Sequence, residues 1–560
     1  MARIKKYIFS KKFIYVLCFI ALNVIDVMRD AQFVSLEVQN KFLELWDIFP
    51  GYRIGDIWLI VANCAGIMMM FILFSAYSIR KFCTVSNGIW TCLCVVFMSV
   101  IPFIRTGEHG TILIQEELAI FNMWWIGILV KCFIYRIFVE KSVKIKLGIV
   151  AAIWIAMTVF MITSEARAKF WPLQYFLMFG MFYITEFKKD DIKDLFDALI
   201  DGSIIAFFIM QTGAFFLRPF DDLRYQGIHS NWNMSGLYYL IIFTMCLCKL
   251  HVLELRQAGK MRKIFYLAIA GAVLVLEFMT GCRTAWIVSV LLVLIYGIFV
   301  VKKNWGKKWK QVIGRGAILV ATMIVAFLPV FMMARCVPMI SPARVWYVGE
   351  MELYAGLDKS MYSTRYTTLE YFFTRTFSRL ALMIPSADKQ ENVETEDTSK
   401  QAEQVQTNEA ETTASSVQSP TNIDSPKITN AKIPSWITEP SMQNRFRVYS
   451  AFLHDMTWRG NGPDAELARN AYHSHNLFIQ IGYFYGIPAG ILLIVLMVAL
   501  LIRNYKHMMK QKNNPYAIMP LLFTVLFFAF GMLEVVWNTG QFILFLIFFV
   551  QFPFKEETIN

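Results

Sequence analysis

The sequence predicts an all-α polytopic membrane protein of about fourteen transmembrane helices, with one large extracytoplasmic loop carrying short helices. Three observations predict it. Of 560 residues 57% are hydrophobic and only 17% charged, with a mean hydropathy of +0.49, far from the mix of a soluble domain. Apolar runs recur at about the 20-residue length that a bilayer demands. Lys and Arg collect in alternate connections between those runs, as they do on the cytoplasmic side of membrane proteins. An aromatic content of 16%, with 15 Trp and 49 Phe, suits lipid-facing surfaces and interfacial belts.

Read in order, the apolar runs fall near 13–28, 55–75, 88–104, 118–138, 147–163, 170–185, 199–217, 234–250, 264–280, 284–301 and 316–334, then 475–502, 516–533 and 537–552. Asn23 and Asp26 interrupt the first of them. Segment 1–334 therefore holds eleven expected spans, 335–474 the outside loop, 475–554 three more spans, and 555–560 a cytoplasmic tail.

Orientation follows from the basic residues. Arg3, Lys5, Lys6, Lys11 and Lys12 put the N-terminus inside. Every second connection is again basic: Arg80 and Lys81; Arg136, Lys141, Lys144 and Lys146; Lys188, Lys189 and Lys193; Lys249 to Lys263; Lys302 to Lys310; Arg503 to Lys512; and finally Lys555. The expected location is the cytoplasmic membrane, crossed many times, with both termini in the cytoplasm. The net charge of +13 is then explained by inside loops, and nucleic-acid binding is not expected. No small-residue cleavage site follows the first apolar run, so it reads as an uncleaved helix and not as a signal peptide. The ten Cys are scattered, mostly within spans, and suggest packing rather than a disulfide framework or a metal site. No metal and no cofactor are expected.

The outside loop is uneven. Segment 385–427 is rich in Glu, Gln, Ser and Thr, too poor in apolar residues to offset the entropy of ordering, and reads as a disordered insertion. Its flanks, 344–383 and 436–458, carry Trp346, Tyr347, Tyr366, Tyr371, Phe372, Phe373, Phe446, Tyr449 and Phe452 at partly helical spacing. Short helices on the membrane face are expected there. No internal repeat of the kind found in many transporters is visible.

Three groups of polar residues meet the outer face in this topology. Arg283, in TGCRTAW, stands in a short turn between two apolar runs, where a guanidinium needs solvent or a partner. The bland alternative is a snorkelling interface residue. Arg445 and Arg447, in QNRFRVYSAF, could grip an anionic headgroup, because guanidinium binds phosphate in two-pronged fashion; singly, either could be a solvated loop charge. His473 and His475, in NAYHSHNLFIQIGYFYGIPAG, stand between the loop and an apolar helix. Neutral imidazole suits proton abstraction near neutral pH, against the alternative of a structural histidine. Glu277 and Glu534 lie in or near apolar runs and are secondary candidates, which helix–helix hydrogen bonds would explain equally.

Together these stretches resemble the O-antigen ligase and O-antigen polymerase superfamily, membrane glycosyltransferases that handle undecaprenyl-pyrophosphate-linked glycans. HSHNLFIQIGYFYGIPAG is similar to the family's His-Asn followed by a Leu-rich helix. GCRTAW is similar to its Ser-Arg-x-x-Trp motif, with Cys282 in the place of Ser. NRFRVYSAFLHDMTWRGNGPDA resembles the arginine, aromatic and Gly-x-Gly segment before the histidine, and NWNMSGLYYL an Asn-rich helix start. The likeness covers about 226–554, and the long insertion at 385–427 departs from it.

The resemblance implies metal-independent, inverting transfer from a lipid pyrophosphate. Compatible with that, no Asp-x-Asp pair occurs in the chain. On matching positions it implies that Arg283 and Arg447 bind the pyrophosphate and that His475 deprotonates the acceptor hydroxyl, with Arg445 and His473 as substitutes in those roles. The implied partners are an undecaprenyl-pyrophosphate-linked glycan donor, a glycan acceptor and the lipid bilayer, with a flippase and a chain-length regulator of the same pathway as candidates. The implied function is polymerisation of oligosaccharide repeat units at the outer face of the cytoplasmic membrane. A ligase using a different acceptor is the alternative within the family. A polysaccharide flippase or other transporter, or a glycan-binding sensor, is the alternative outside it. The gathering of polar candidates at one face favours an enzyme over a transporter, whose polar residues belong at the bilayer midplane.

Overall fold

The computed structural model describes residues 11–31, 34–35, 84–104, 148–165, 189–217, 224–229, 232–300, 305–340, 345–346, 440–461, 474–511, 513–536 and 550–551, with isolated positions at 127–138, 172–180, 220 and 368–376. The chain is helical: α1 (Lys11–Ala31), α2 (Val85–Ile104), α3 (Ile149–Thr163), α4 (Lys189–Leu217), α5 (Trp232–Leu255), α6 (Lys260–Met279), α7 (Arg283–Val300), α8 (Trp305–Ile340), α9 (Pro440–His454), α10 (Leu477–Tyr485), α11 (Ile487–Lys510) and α12 (Met519–Gly531). One two-stranded antiparallel ladder pairs β1 (Val34–Ser35) with β2 (Val345–Trp346), Val34 opposite Trp346.

The expectation of about fourteen spans is overturned. Among the described residues four helical stretches are long and apolar enough to cross a membrane: Ile192–Phe216, Trp232–Leu255, Ile313–Val337 and Ile487–Lys510. Four shorter apolar helices accompany them, at Lys12–Val24, Ile149–Thr163, Arg283–Ile298 and Met519–Gly531. The helices pack extensively on one another, α5 against its neighbour α6 and α10 against its neighbour α11, and across longer separations α1 along α4, α6 against α8 and α11 against α3. An apolar run is the same signal whether a helix faces lipid or is enclosed by other helices, and counting runs therefore overstates spans. In α5 the apolar window is 89% buried by neighbouring helices, whereas in α8 only 22% is. The expected spans near 55–75, 118–138, 170–185 and 537–552 lie wholly or mostly outside the described residues, as do the 385–427 insertion and the 555–560 tail.

Side-chain pairs orient the helices. At one pole Asp197, near the start of α4, accepts from Lys12 Nζ at 3.4 Å and from Arg256 Nη1 at 3.1 Å, and Arg256 Nη2 reaches Tyr516 Oη at 2.5 Å. The starts of α1 and α4, the end of α5 and the approach to α12 therefore meet. Arg315 pairs with Glu254 near the same pole. Burial opposes the charge on Arg256, but Tyr516 and Asp197 outweigh it and raise its pKa above the ordinary arginine value. The C-terminal stretch returns close by, where Arg503 Nη2 donates to the Gln551 carbonyl at 2.9 Å.

Three sets of buried polar groups in the interior are paired across helices, as an apolar surround favours. Asn23 donates to Ser203 Oγ at 3.2 Å and accepts from Tyr238 Oη at 3.3 Å. Gln211 links Tyr225 at 2.9 Å and Tyr239 at 2.7 Å. Asn504, Thr524 and Gln551 close a third network between α11 and α12. Around them Phe220, Phe327, Phe331 and Phe372 stack edge and face, with centroids 5.7 to 6.1 Å apart.

Candidate functional site

The pole opposite the Asp197 cluster gathers the ends of α4, α6 and α12 with the starts of α5, α7 and α10. Locally the sequence builds it from the start of α10. Asn476 has extended backbone and caps that helix, its Oδ1 accepting from Phe478 N at 2.9 Å and Ile479 N at 3.1 Å. These are two of the donors that a helix start leaves unpaired. The other half of the same amide, Nδ2, donates to the Met532 carbonyl at 2.8 Å and ties the cap to the end of α12. Ser474 N donates to Gln480 Oε1 at 2.7 Å, one turn into α10.

Between Ser474 and Asn476 the chain turns through His475, which holds φ at +52°. A side chain other than glycine adopts this left-handed region at a cost, and such residues cluster at working sites. Its carbonyl accepts from Tyr449 Oη of α9 at 3.1 Å. Its ring Nδ1 lies 3.4 Å from Glu534 Oε2.

Glu534 follows α12 by a short turn and is the hub of the site. Its Oε1 accepts from Arg445 Nη2 at 2.8 Å and from Asn233 Nδ2 at 3.2 Å, while its Oε2 faces His475. Arg445 also donates from Nη1 to the Leu533 carbonyl at 2.7 Å, so its guanidinium fork spans one residue's side chain and its neighbour's backbone. Behind Asn233 stands Arg224, which donates Nη2 to Asn233 Oδ1 at 3.1 Å and Nε to the Thr280 carbonyl at 2.8 Å. Arg224 lies over the Trp232 ring, 4.4 Å from its centroid.

The electrostatics follow from this geometry. Burial by itself pushes the Glu534 carboxyl up, but the hydrogen bond from His475 and the charge and hydrogen bond of Arg445 outweigh it and hold it below the usual carboxylate range. Arg445 shows the reciprocal effect: burial works against its charge, and Glu534 more than restores it. Burial raises the Tyr449 phenol, partly offset by Arg445. Burial also pushes the Cys282 thiol up to about 12, which favours its protonated form.

Of the residues singled out in the sequence, the structure joins His475 and Arg445 through one carboxylate. Arg447 shares α9 with Arg445 but is exposed, about half a turn round the helix. Arg283 is half-buried at the first position of α7, next to the Thr280–Gly281 carbonyls that hold Arg224. His473 lies outside the described residues. Glu277 is elsewhere, buried in α6 and accepting from Ser289 Oγ at 2.8 Å, a helix–helix hydrogen bond. Sequence reading gave Glu534 only a secondary place and missed Arg224. Asn233 was visible within NWNMSGLYYL, and the arginine nine residues before it carried no motif. Among the described residues no group of three His, Cys, Asp or Glu side chains could hold a metal ion.

The arrangement can hold an imidazole beside a buried carboxylate and keep that carboxylate charged through Arg445, with Arg224 behind Asn233. No family model, no curated protein and no solved structure matches the chain.

Proposed function

We propose that the protein is a membrane glycosyltransferase that polymerises undecaprenyl-pyrophosphate-linked oligosaccharide repeat units of a surface polysaccharide. The observation that carries this reading is the convergence of His475, Arg445 and Glu534, from three distant segments, with the imidazole in a costly backbone conformation and its Nδ1 on a buried carboxylate. Packing alone does not ask for such a group at the end of an apolar helical core.

In this reading His475 acts as general base. It removes the proton of an acceptor sugar hydroxyl as that oxygen bonds to the anomeric carbon of the donor, and the bond from that carbon to the lipid pyrophosphate breaks with inversion. The pyrophosphate leaves with its negative charge, which Arg283 neutralises in a two-pronged contact, while Arg447, turned away from Arg445 on α9, is not given that role. Arg445, committed to Glu534 and the Leu533 carbonyl, supports the base.

The reading places the protein in the cytoplasmic membrane as a multi-pass protein. The Lys12, Arg256 and Arg503 pole faces the cytoplasm with both termini, and the His475 pole faces outward. Exposed apolar side chains of α8, among them Ile324, Val325 and Leu328 at 69%, 76% and 55% accessibility, support a lipid-facing surface.

The test is transfer by the purified full-length protein in nanodiscs, supplied with an undecaprenyl-pyrophosphate oligosaccharide. Wild type should elongate the glycan, and His475→Ala should reduce turnover by about 100-fold or more while leaving the protein folded. Full elongation by His475→Ala would remove the base assignment. Wild-type protein that binds donor yet elongates nothing across a panel of acceptors would favour transport or glycan binding.

A further inference from the structure

We propose that Glu534 is a positioning residue that selects the tautomer of His475: it takes the Nδ1–H on Oε2, so the neutral ring carries its lone pair on Nε2. The role of that lone pair rests on the glycosyl-transfer reading above; the tautomer itself is a property of the chain that can be measured without any substrate. The two oxygens of Glu534 divide their work. Oε1 is taken by Arg445 Nη2 at 2.8 Å and Asn233 Nδ2 at 3.2 Å, and Oε2 is the one 3.4 Å from His475 Nδ1. Two donors on one oxygen fix the carboxylate plane and leave the other oxygen aimed at the ring.

A neutral imidazole has one N–H and one acceptor nitrogen, and a carboxylate can only accept. The nitrogen facing Glu534 must therefore carry the hydrogen. The site holds the reporter as firmly as the carboxylate. The His475 backbone is pinned by Tyr449 on its own carbonyl, and on either side by Ser474 and the Asn476 cap. The Glu534 side chain is only 10% exposed and that of His475 33%, so the pair sits at the rim of a buried cluster.

Among the described residues, charged and titratable groups face the pair from several elements. Arg445 comes from α9, Tyr449 from the same helix, Arg224 stands behind Asn233, and the Cys282 thiol lies near the start of α7. When the ring accepts the acceptor's proton at Nε2 it becomes imidazolium, with Glu534 already bonded to its Nδ1–H. The proton thus moves from the sugar hydroxyl to Nε2, the new carbon–oxygen bond takes the electron pair left behind, and the pyrophosphate departs with the pair of the broken bond. Glu534 itself gains no proton.

The experiment is nitrogen NMR on full-length protein labelled only at its seven histidines, with the His475 signals identified by their loss in His475→Gln. At a pH where the ring is neutral, wild type should show Nδ1 protonated and Nε2 unprotonated. Glu534→Leu combined with Arg445→Met removes both charges together, which keeps the cluster foldable, and should turn the His475 signals to a mixture or to the opposite tautomer. Glu534→Gln should lower kcat about 10- to 100-fold with KM changed less than about twofold, and Glu534→Asp should recover part of it. A wild-type ring protonated at Nε2, or an unchanged tautomer in the folded double variant, would overturn the proposal. Failure of wild-type protein to transfer glycan, with the tautomer as expected, would sink the glycosyl-transfer reading and leave the positioning role standing.

Discussion

At residue scale Glu534 is an acid kept charged against its own burial. Desolvation would raise its pKa, and the His475 hydrogen bond together with Arg445 lowers it further than burial lifts it. The linkage has a definite sign. A carboxyl held below its unfolded value contributes stability that is complete above the unfolded pKa of about 4.3. That contribution is lost as pH falls through the lower folded value. Acid titration of the protein in detergent should therefore show a loss of thermal stability that begins below about pH 5. Glu534→Gln should lack that part of the loss while starting less stable at neutral pH. Identical acid profiles for the two proteins would mean that Arg445 and His475 do not favour the charged form. The amide of Asn476 shows how much one short side chain can hold: two helix donors through its oxygen, and the Met532 carbonyl through its nitrogen.

The element that aims these residues is the junction of α10 and α11. The chain breaks between the two helices at Gly486, whose φ is +100°, and Pro488 starts the second helix. A loop after α9 docks into this break: Ile487 N donates to the Thr457 carbonyl and Asn461 N to the Tyr483 carbonyl, each at 3.0 Å. Gly486 and Gly460 face one another's backbone. A Cβ on Gly486 would run into the Trp458 carbonyl, and one on Gly460 into the Phe484 carbonyl. Only glycine combines that φ with that closeness. Gly486→Ala should therefore cost about 2 kcal/mol or more, read as a drop in unfolding temperature, and should loosen the α9 loop and with it Tyr449 and Arg445. A variant as stable as wild type would show that the junction can shift at little cost. The sequence hints at this joint, since YGIPAG reads as a break between helices, but nothing in it says that TWRGNG is the loop that fills it.

For the whole molecule, the two poles do different work. The pole of Asp197 is a lock between α1, α4, α5 and α12, formed by one carboxylate only 4% exposed at its side chain, with Lys12 and Arg256 on it. Removing the acid takes the carboxylate partner from both Lys12 and Arg256. Asp197→Ala should destabilise the protein by roughly 1–3 kcal/mol, less than for a fully buried pair because Arg256 is partly exposed. On the proposed function, glycan transfer at the far pole should fall only in proportion to the folded fraction. A variant that keeps its stability and loses activity would mean that the two poles are coupled through the helices between them.

By itself the sequence determined that the protein is apolar and rich in runs of helical length, and it singled out Arg445 and His475, which the fold brings to one carboxylate. These properties are written in composition and in local order, where each residue speaks for itself or for its neighbours. The number of helices that could meet lipid was decided elsewhere. The apolar face of α5 is satisfied by other helices and that of α8 is left exposed, a difference that hydropathy along a chain does not encode. The partner of the imidazole was likewise a tertiary matter. Glu534 lies 59 residues from His475 and 89 from Arg445, with no spacing to betray it. A carboxylate is recruited to a site by what packs beside it, and only the folded chain brings α9, α10 and the end of α12 to one point.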